Sequence, residues 1–118
     1  MPTFLNSSLC ALRALSTKFS AGADNIANLN TDGYKRKRVE IREDSLGNPA
    51  AVVSIDNRPG PTRLEPGRNG KPEEVEMSNL DLASELVTNM TTENAIRANL
   101  RSAAAADEIL GETIDILG

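Results

Sequence analysis

Histidine is absent from this 118-residue chain, and cysteine occurs once, at Cys10. Those two shortages exclude a Ser-His-Asp triad, a Cys-His pair, a His-ligated metal, an intramolecular disulfide and any C-x-x-C redox or zinc arrangement within the chain. Cys10 itself has no neighbouring base and reads as a small buried apolar residue. Nothing replaces the missing chemistry: no Gly-rich phosphate loop occurs, and the carboxylates gather into no site signature. No catalytic, cofactor-binding or metal-binding residue is expected. Trp is also absent, with two Phe and one Tyr as the only aromatics. So little bulky material predicts an elongated molecule rather than a compact core. No apolar run approaches the roughly 18 residues of a membrane span, and the opening residues lack a basic region followed by an apolar block. Neither direct membrane insertion nor a cleaved secretory signal is expected.

What the chain does have is apolar periodicity. From Ser78 to Leu117 there is no Pro, and no Gly before Gly111. Leu82, Leu86, Ile96, Leu100, Ala103, Leu110, Ile114 and Leu117 fall on one seam at the three- and four-residue spacings of a helix paired with another helix. Such a helix would be roughly 60 Å long, more than a domain of this size wraps with its own core. Asn89, Glu93 and Asp107 interrupt the seam. Three explanations stand open: they are exposed, they meet polar partners in a neighbouring subunit, or the helix rotates so that Val87, Met90 and Ala95 take over. Glu73, Glu74 and Glu76 precede the helix, and Ser78 with Asp81 resembles a capping box, which predicts a start near Ser78.

A second stripe lies near the start of the sequence. Leu5, Leu12, Phe19 and Ile26 stand seven residues apart with Leu15 and Leu29 at the companion spacing, so Asn6 to Asn30 reads as an amphipathic helix. Ser8 and Gly22 are weak points on the companion row, and close approach of another backbone would account for the glycine. The stripe fits a helix in an ordinary core and a helix in an assembly equally well. Asn28 to Gly33 should end it. Tyr34 to Ile41 suits a solvated strand, the cluster Asp44 to Pro49 a turn, and Ala50 to Ile55 a second strand, together a small hairpin. Asp56 to Pro72 holds Pro59-Gly60-Pro61, Pro66-Gly67 and Asn69-Gly70, and is expected to be an irregular loop.

Charge is unevenly placed in a chain of formal net charge -4. Lys35, Arg36, Lys37, Arg38 and Arg42 form one basic stretch, whereas Glu73 to Gly118 is strongly acidic. Without aromatic interleaving or a recognition helix, the basic stretch fits a solvated strand or a contact to an acidic neighbour better than a nucleic-acid site. The acidic half of another copy is one such neighbour, reached head to tail.

Asn25-Ile26-Ala27-Asn28-Leu29-Asn30-Thr31-Asp32-Gly33-Tyr34-Lys35-Arg36 resembles the N-terminal signature of bacterial flagellar rod and hook proteins. Ser78 to Val87, with Arg97-Ala98-Asn99 and Ala106 to Leu110, is similar to the C-terminal signature of the same family. The residues carrying the resemblance most clearly are Asn25, Asn28, Asn30, Gly33, Tyr34, Asn79, Asp81 and Asn99. Departures fall at Asp32, Glu93-Asn94 and Ile96, where the family commonly has Pro, an Arg-containing pair and an aromatic residue.

The resemblance implies a non-catalytic axial subunit of the flagellar basal body, most like a short proximal rod protein. It would be exported by the flagellar type III apparatus and would lie in the rod that spans the periplasm. Its partners would be other rod and axial proteins and copies of itself.

The expected fold is mainly α. Two long terminal helices form an elongated, coiled-coil-like pair through Leu5, Leu12, Phe19 and Ile26 against Leu82, Leu86, Ile96, Leu100 and Leu110, with a small β-hairpin and an irregular loop between them. The expected division is 1–33 for the first helix, 34–77 for the insert and 78–118 for the second helix. The competing reading is a coiled-coil adaptor or export chaperone that holds another protein's amphipathic helix.

Overall fold

The computed structural model describes residues 2–118; the first expected unit begins at Met1, which lies outside them. Helix α1 spans Pro2–Ala27 and helix α2 Leu82–Leu117, with strands β1 (Lys37–Glu43), β2 (Pro49–Ile55), β3 (Thr62–Pro66) and β4 (Pro72–Glu76) between them. The strands form two separate antiparallel hairpins, β1-β2 and β3-β4. The fold is thus the expected helical pair with a small β insert, drawn out to 82 × 26 × 17 Å. Its radius of gyration is 21.1 Å, against about 13–14 Å for a compact domain of this length.

The helices run antiparallel. Asn25 meets Glu85, Gly22 lies against Asn89, and at the far end Phe4 stands beside Ser102, Ala105, Ala106 and Ile109. On α2 Glu85, Asn89, Thr92, Ile96, Asn99, Ala103, Ala106 and Leu110 are buried or half-buried, spaced alternately four and three apart, with half-buried Ala95 beside the row. This is a heptad seam, but a small and polar one. The matching α1 row contains the two positions that look weakest in the sequence, Ser8 and Gly22, and both are buried. A Cβ on Gly22 would come within 1.9 Å of Asn89 Oδ1, so the glycine sits where the helices approach most closely.

Hairpin β1-β2 lies across α1. The register pairs Val39 with Val53 and Ile41 with Ala51, placing these side chains on one face of the pleat. Ala14 and Ala21, both buried, meet the hairpin: Ala14 lies near Pro49, Ala50 and Ala51, and Ala21 near Lys37 and Val53.

The second hairpin replaces the expected irregular loop. Pro66 pairs with Pro72, and the next pair inward to the turn is hydrogen-bonded, Gly67 N–H donating to Lys71 C=O at 2.8 Å. The prolines therefore occupy non-hydrogen-bonded sites, where a missing N–H disrupts no ladder bond, and Asn69-Gly70 supplies the turn. Gly60 is equally specific: a Cβ there would sit 2.3 Å from the Met77 carbonyl oxygen, so the chains cross too closely for any side chain. Among the described residues neither β3 nor β4 packs against another element. Helix α2 accounts for about 54 Å of length and this hairpin for roughly 25 Å more. Their sum matches the long axis, so the hairpin extends the molecule beyond the start of α2.

That start differs from the expected one. Asp81 is the N-cap, its carboxylate accepting from Ala83 N–H at 3.1 Å and from the Ser84 hydroxyl at 3.0 Å. Ser78 instead accepts from Leu80 N–H. Residues on either side of Ser78 are committed elsewhere: Met77 N–H donates to Pro61 C=O and Asn79 N–H to Tyr34 C=O. Glu73, Glu74 and Glu76 correspondingly lie in β4 rather than in a helical lead-in.

Candidate functional site

The most ordered chemistry in the molecule is the joint where α1 ends, α2 begins and both hairpins leave. Asn25 is its centre, with no exposed surface at all. Its amide nitrogen donates to Lys37 C=O and to Glu85 Oε1, each at 2.9 Å. Its amide oxygen accepts from the Tyr34 hydroxyl at 2.9 Å and from Lys37 N–H at 2.8 Å. All four hydrogen-bonding capacities are used. The Asn25 amide pairs with both backbone groups of Lys37 much as a neighbouring strand would, and so fastens α1 to the outer edge of β1.

Asn79 repeats the device on the other side. Its side-chain oxygen accepts from Arg36 N–H at 2.8 Å, while its nitrogen donates to the carbonyls of Asp56 and Arg58 at 2.7 and 2.9 Å. Asn28 closes the end of α1, donating to Asp24 C=O and accepting from the Thr31 hydroxyl. Gly33 N–H donates to Glu76 C=O at 2.8 Å, tying the turn to β4.

Ion pairs surround this joint, and they change the meaning of the basic stretch. Lys35 pairs with Glu76, Arg36 with Asp56, Lys37 with Asp24, and Arg38 and Arg42 with Glu40. Each of the five cations has a carboxylate near it within its own chain, Arg38 and Arg42 sharing Glu40. Hydrogen bonds from Arg58, with the nearby Arg36 guanidinium, hold the Asp56 carboxyl far below the usual carboxylate range. Lys35, then Gly60 N–H, lowers Glu76 likewise. Burial pushes the Tyr34 phenol up.

The signature residues thus divide. Asn25, Asn28, Gly33, Tyr34, Asn79 and Asp81 come together at the joint, Asn30 is exposed in the turn, and Asn99 lies half-buried on the helix seam about five turns away. The aliphatic residues fall elsewhere. Leu12, Ile26, Ile96 and Leu110 are half-buried, whereas Leu5, Phe19, Leu82, Leu86 and Leu100 retain between 37% and 52% of their surface. Glu85 and Arg36, which with Asp56 complete the joint, lie within the signature stretches but not among the residues that carry the resemblance most clearly, and Asp56 lies outside both stretches. The only hint is that Glu85 and Asn89 stand four apart, in phase with Ile96 and Ala103.

Residues 5–35 match the family model of the flagella basal body rod protein. Over this stretch the chain is similar to the flagellar rod and axial family. The matched stretch runs along α1 and through the turn that carries Asn25, Asn28, Gly33 and Tyr34. No curated protein matches the chain. The family is a structural component of the flagellar basal body, not a family of enzymes, and it assembles with other rod proteins. Among the described residues no helix is long and apolar enough to cross a membrane, and no three His, Cys, Asp or Glu side chains are grouped to hold a metal.

Proposed function

We propose that this rod-family chain works as a torque-bearing subunit of the short proximal kind, joined to its neighbours by the apolar flank of its helix pair. The observation carrying this reading is the mismatch between seam and stripe. Inside the chain α1 meets α2 through Ser8, Gly22, Asn25, Glu85, Asn89 and Thr92, and among the described residues the buried apolar ones are Ala14, Ala21 and Leu80. The large side chains lie beside that seam: Leu82 and Leu100, five turns apart, share a stripe with Leu86, about a quarter turn round the helix from the buried row. These exposed leucines, with the Glu93–Arg97 ion pair between Leu86 and Leu100, offer an interaction surface. Neighbouring axial helices of the same heptad period would cover it.

The joint gives the subunit its mechanical character. Asn25 and Asn79 fasten the insert to both helices through backbone hydrogen bonds, so load entering the helices would reach the hairpins without a flexible hinge between. Export through the flagellar apparatus and position within the periplasmic part of the rod belong to the same reading. The division into helical units 1–33 and 78–118 with an insert 34–77 follows from it too.

The experiment is replacement of the native gene by Leu86→Asp and Leu100→Asp variants. Both should leave the purified protein helical, yet abolish swimming and remove the chain from isolated basal bodies. Complete, motile flagella containing the doubly substituted chain would overturn the proposal.

A further inference from the structure

The two ends of the long axis carry unpaired charge of opposite sign. At the tip of β3-β4, the segment Pro66 to Pro72 contains Arg68 and Lys71 and no acid. At the other pole, Asp107 to Gly118 contains Asp107, Glu108, Glu112 and Asp115 and no base. All six side chains are exposed, and none takes part in an ion pair among the described residues. This sets them apart from the basic run of β1.

The acidic pole is electrostatically unfavourable in a single chain. Carboxylates oppose the negative end of the helix dipole, and α2 has no basic residue in its last turn to offset it. Glu108, Glu112 and Asp115, spaced four and three apart, also repel one another along one face. Exposed apolar surface lies among them at Ile109, Ile114, Ile116 and Leu117, and the hairpin presents Leu64, 69% exposed. Glu73 and Glu74 stand behind the cationic tip, so only a tip-first approach brings opposite charges together.

We infer that the β3-β4 tip of one copy docks on the last three turns of α2 of the next, with Arg68 and Lys71 against Glu108, Glu112 and Asp115. The contact deepens the rod reading and rests on it. Being heterologous, it propagates along the long axis instead of closing.

Charge exchange tests it. The intact chain at about 1 mM in low salt should form higher species in sedimentation velocity, dissociating as salt shortens the screening length to ~10 Å at 0.1 M. Arg68→Glu with Lys71→Glu should weaken self-association about tenfold or more, as should Glu108→Lys with Glu112→Lys; combining all four should restore it. Far-UV circular dichroism checks that each variant folds. Carbodiimide coupling of mixed light and heavy-isotope chains should join Lys71 of one copy to Glu108 or Glu112 of another. A monomer at 1 mM, salt-independent association, or failure of the fourfold exchange to restore it overturns the contact. Basal-body localisation tests the rod reading separately: a chain found there but indifferent to these exchanges keeps that reading and loses this contact.

Discussion

Replacing Asn25 by alanine should damage the molecule far more than its place near a helix end suggests. The substitution strands the N–H and C=O of Lys37, which have no other partner, and removes the bond between the helices at Glu85. A buried polar group left unpaired costs about 1–3 kcal/mol. Tyr34 and Glu85 can turn partly toward water, so the two Lys37 groups and the lost helix contact together give a cost of roughly 3–5 kcal/mol. Small domains hold only about 5–15 kcal/mol in all, and a chain whose buried apolar residues, among those described, are Ala14, Ala21 and Leu80 belongs at the low end. Asn25→Asp should be no milder at neutral pH, because it removes both donors and sets a second carboxylate against Glu85. Asn28→Ala, at a half-buried position with only local partners, is the control and should cost about 1 kcal/mol or less. Urea unfolding supplies the measurement, with helicity as one probe and fluorescence of Tyr34, the sole tyrosine, as a probe of the joint itself. An Asn25→Ala protein within about 1 kcal/mol of the parent, or no less stable than Asn28→Ala, would refute the account of the joint.

Two further outcomes are expected. Gly22→Ala should destabilise by about 1–3 kcal/mol through overpacking against Asn89, despite a gain in helix propensity. Asn89→Ala in the same chain should bring stability back to the parent's level or above, since Asn89 Oδ1 is buried without a hydrogen-bond partner; a double variant no better than Gly22→Ala alone would contradict the packing. Acid should also loosen the joint. Asp56 and Glu76 are held below their ordinary values in the folded chain, so their contribution is present above about pH 4–5, the unfolded carboxylate range, and is lost as pH falls below it. With no histidine in the sequence, the melting temperature should be nearly flat between about pH 8 and 5 and fall below about pH 4. Asp56→Asn with Glu76→Gln should flatten the acid limb, and an unchanged slope would remove these two carboxylates from the account.

Helices and the first hairpin were legible because their signals are local. The three- and four-residue periodicity marks α1 and α2, and the turn cluster Asp44 to Pro49 falls between β1 and β2 as read. The second hairpin was hidden by counting Pro66, Pro72 and Gly67 as breakers, when their positions in the ladder decide whether they break anything. Asn69-Gly70 between Thr-Arg-Leu-Glu and Glu-Glu-Val-Glu was the available signal. The joint was half legible: the signature residues were found, but their partners lie up to 60 residues away, as Asn25 and Glu85 do, and periodicity carries no pairing across such distances.

The same limit explains the helix seam. Hydrophobic periodicity identifies the face that leaves water, and in a chain that folds alone that face meets its own core. Here Ser8, Gly22, Asn89 and Thr92 occupy the intramolecular contact while Leu82, Leu86 and Leu100 remain beside it. Of the polar interruptions that look anomalous in the sequence, Asn89 is a seam residue packed on Gly22, Glu93 is exposed and paired with Arg97, and Asp107 is exposed. A seam of small and polar side chains sets the register of α1 on α2 through specific bonds while contributing little burial. Several of the large apolar side chains are therefore left exposed in the single chain, and burial of Leu82, Leu86 and Leu100 is open to contacts between subunits. That partition suits the proposed role as a rod subunit, in which the assembled structure is stronger than the single chain.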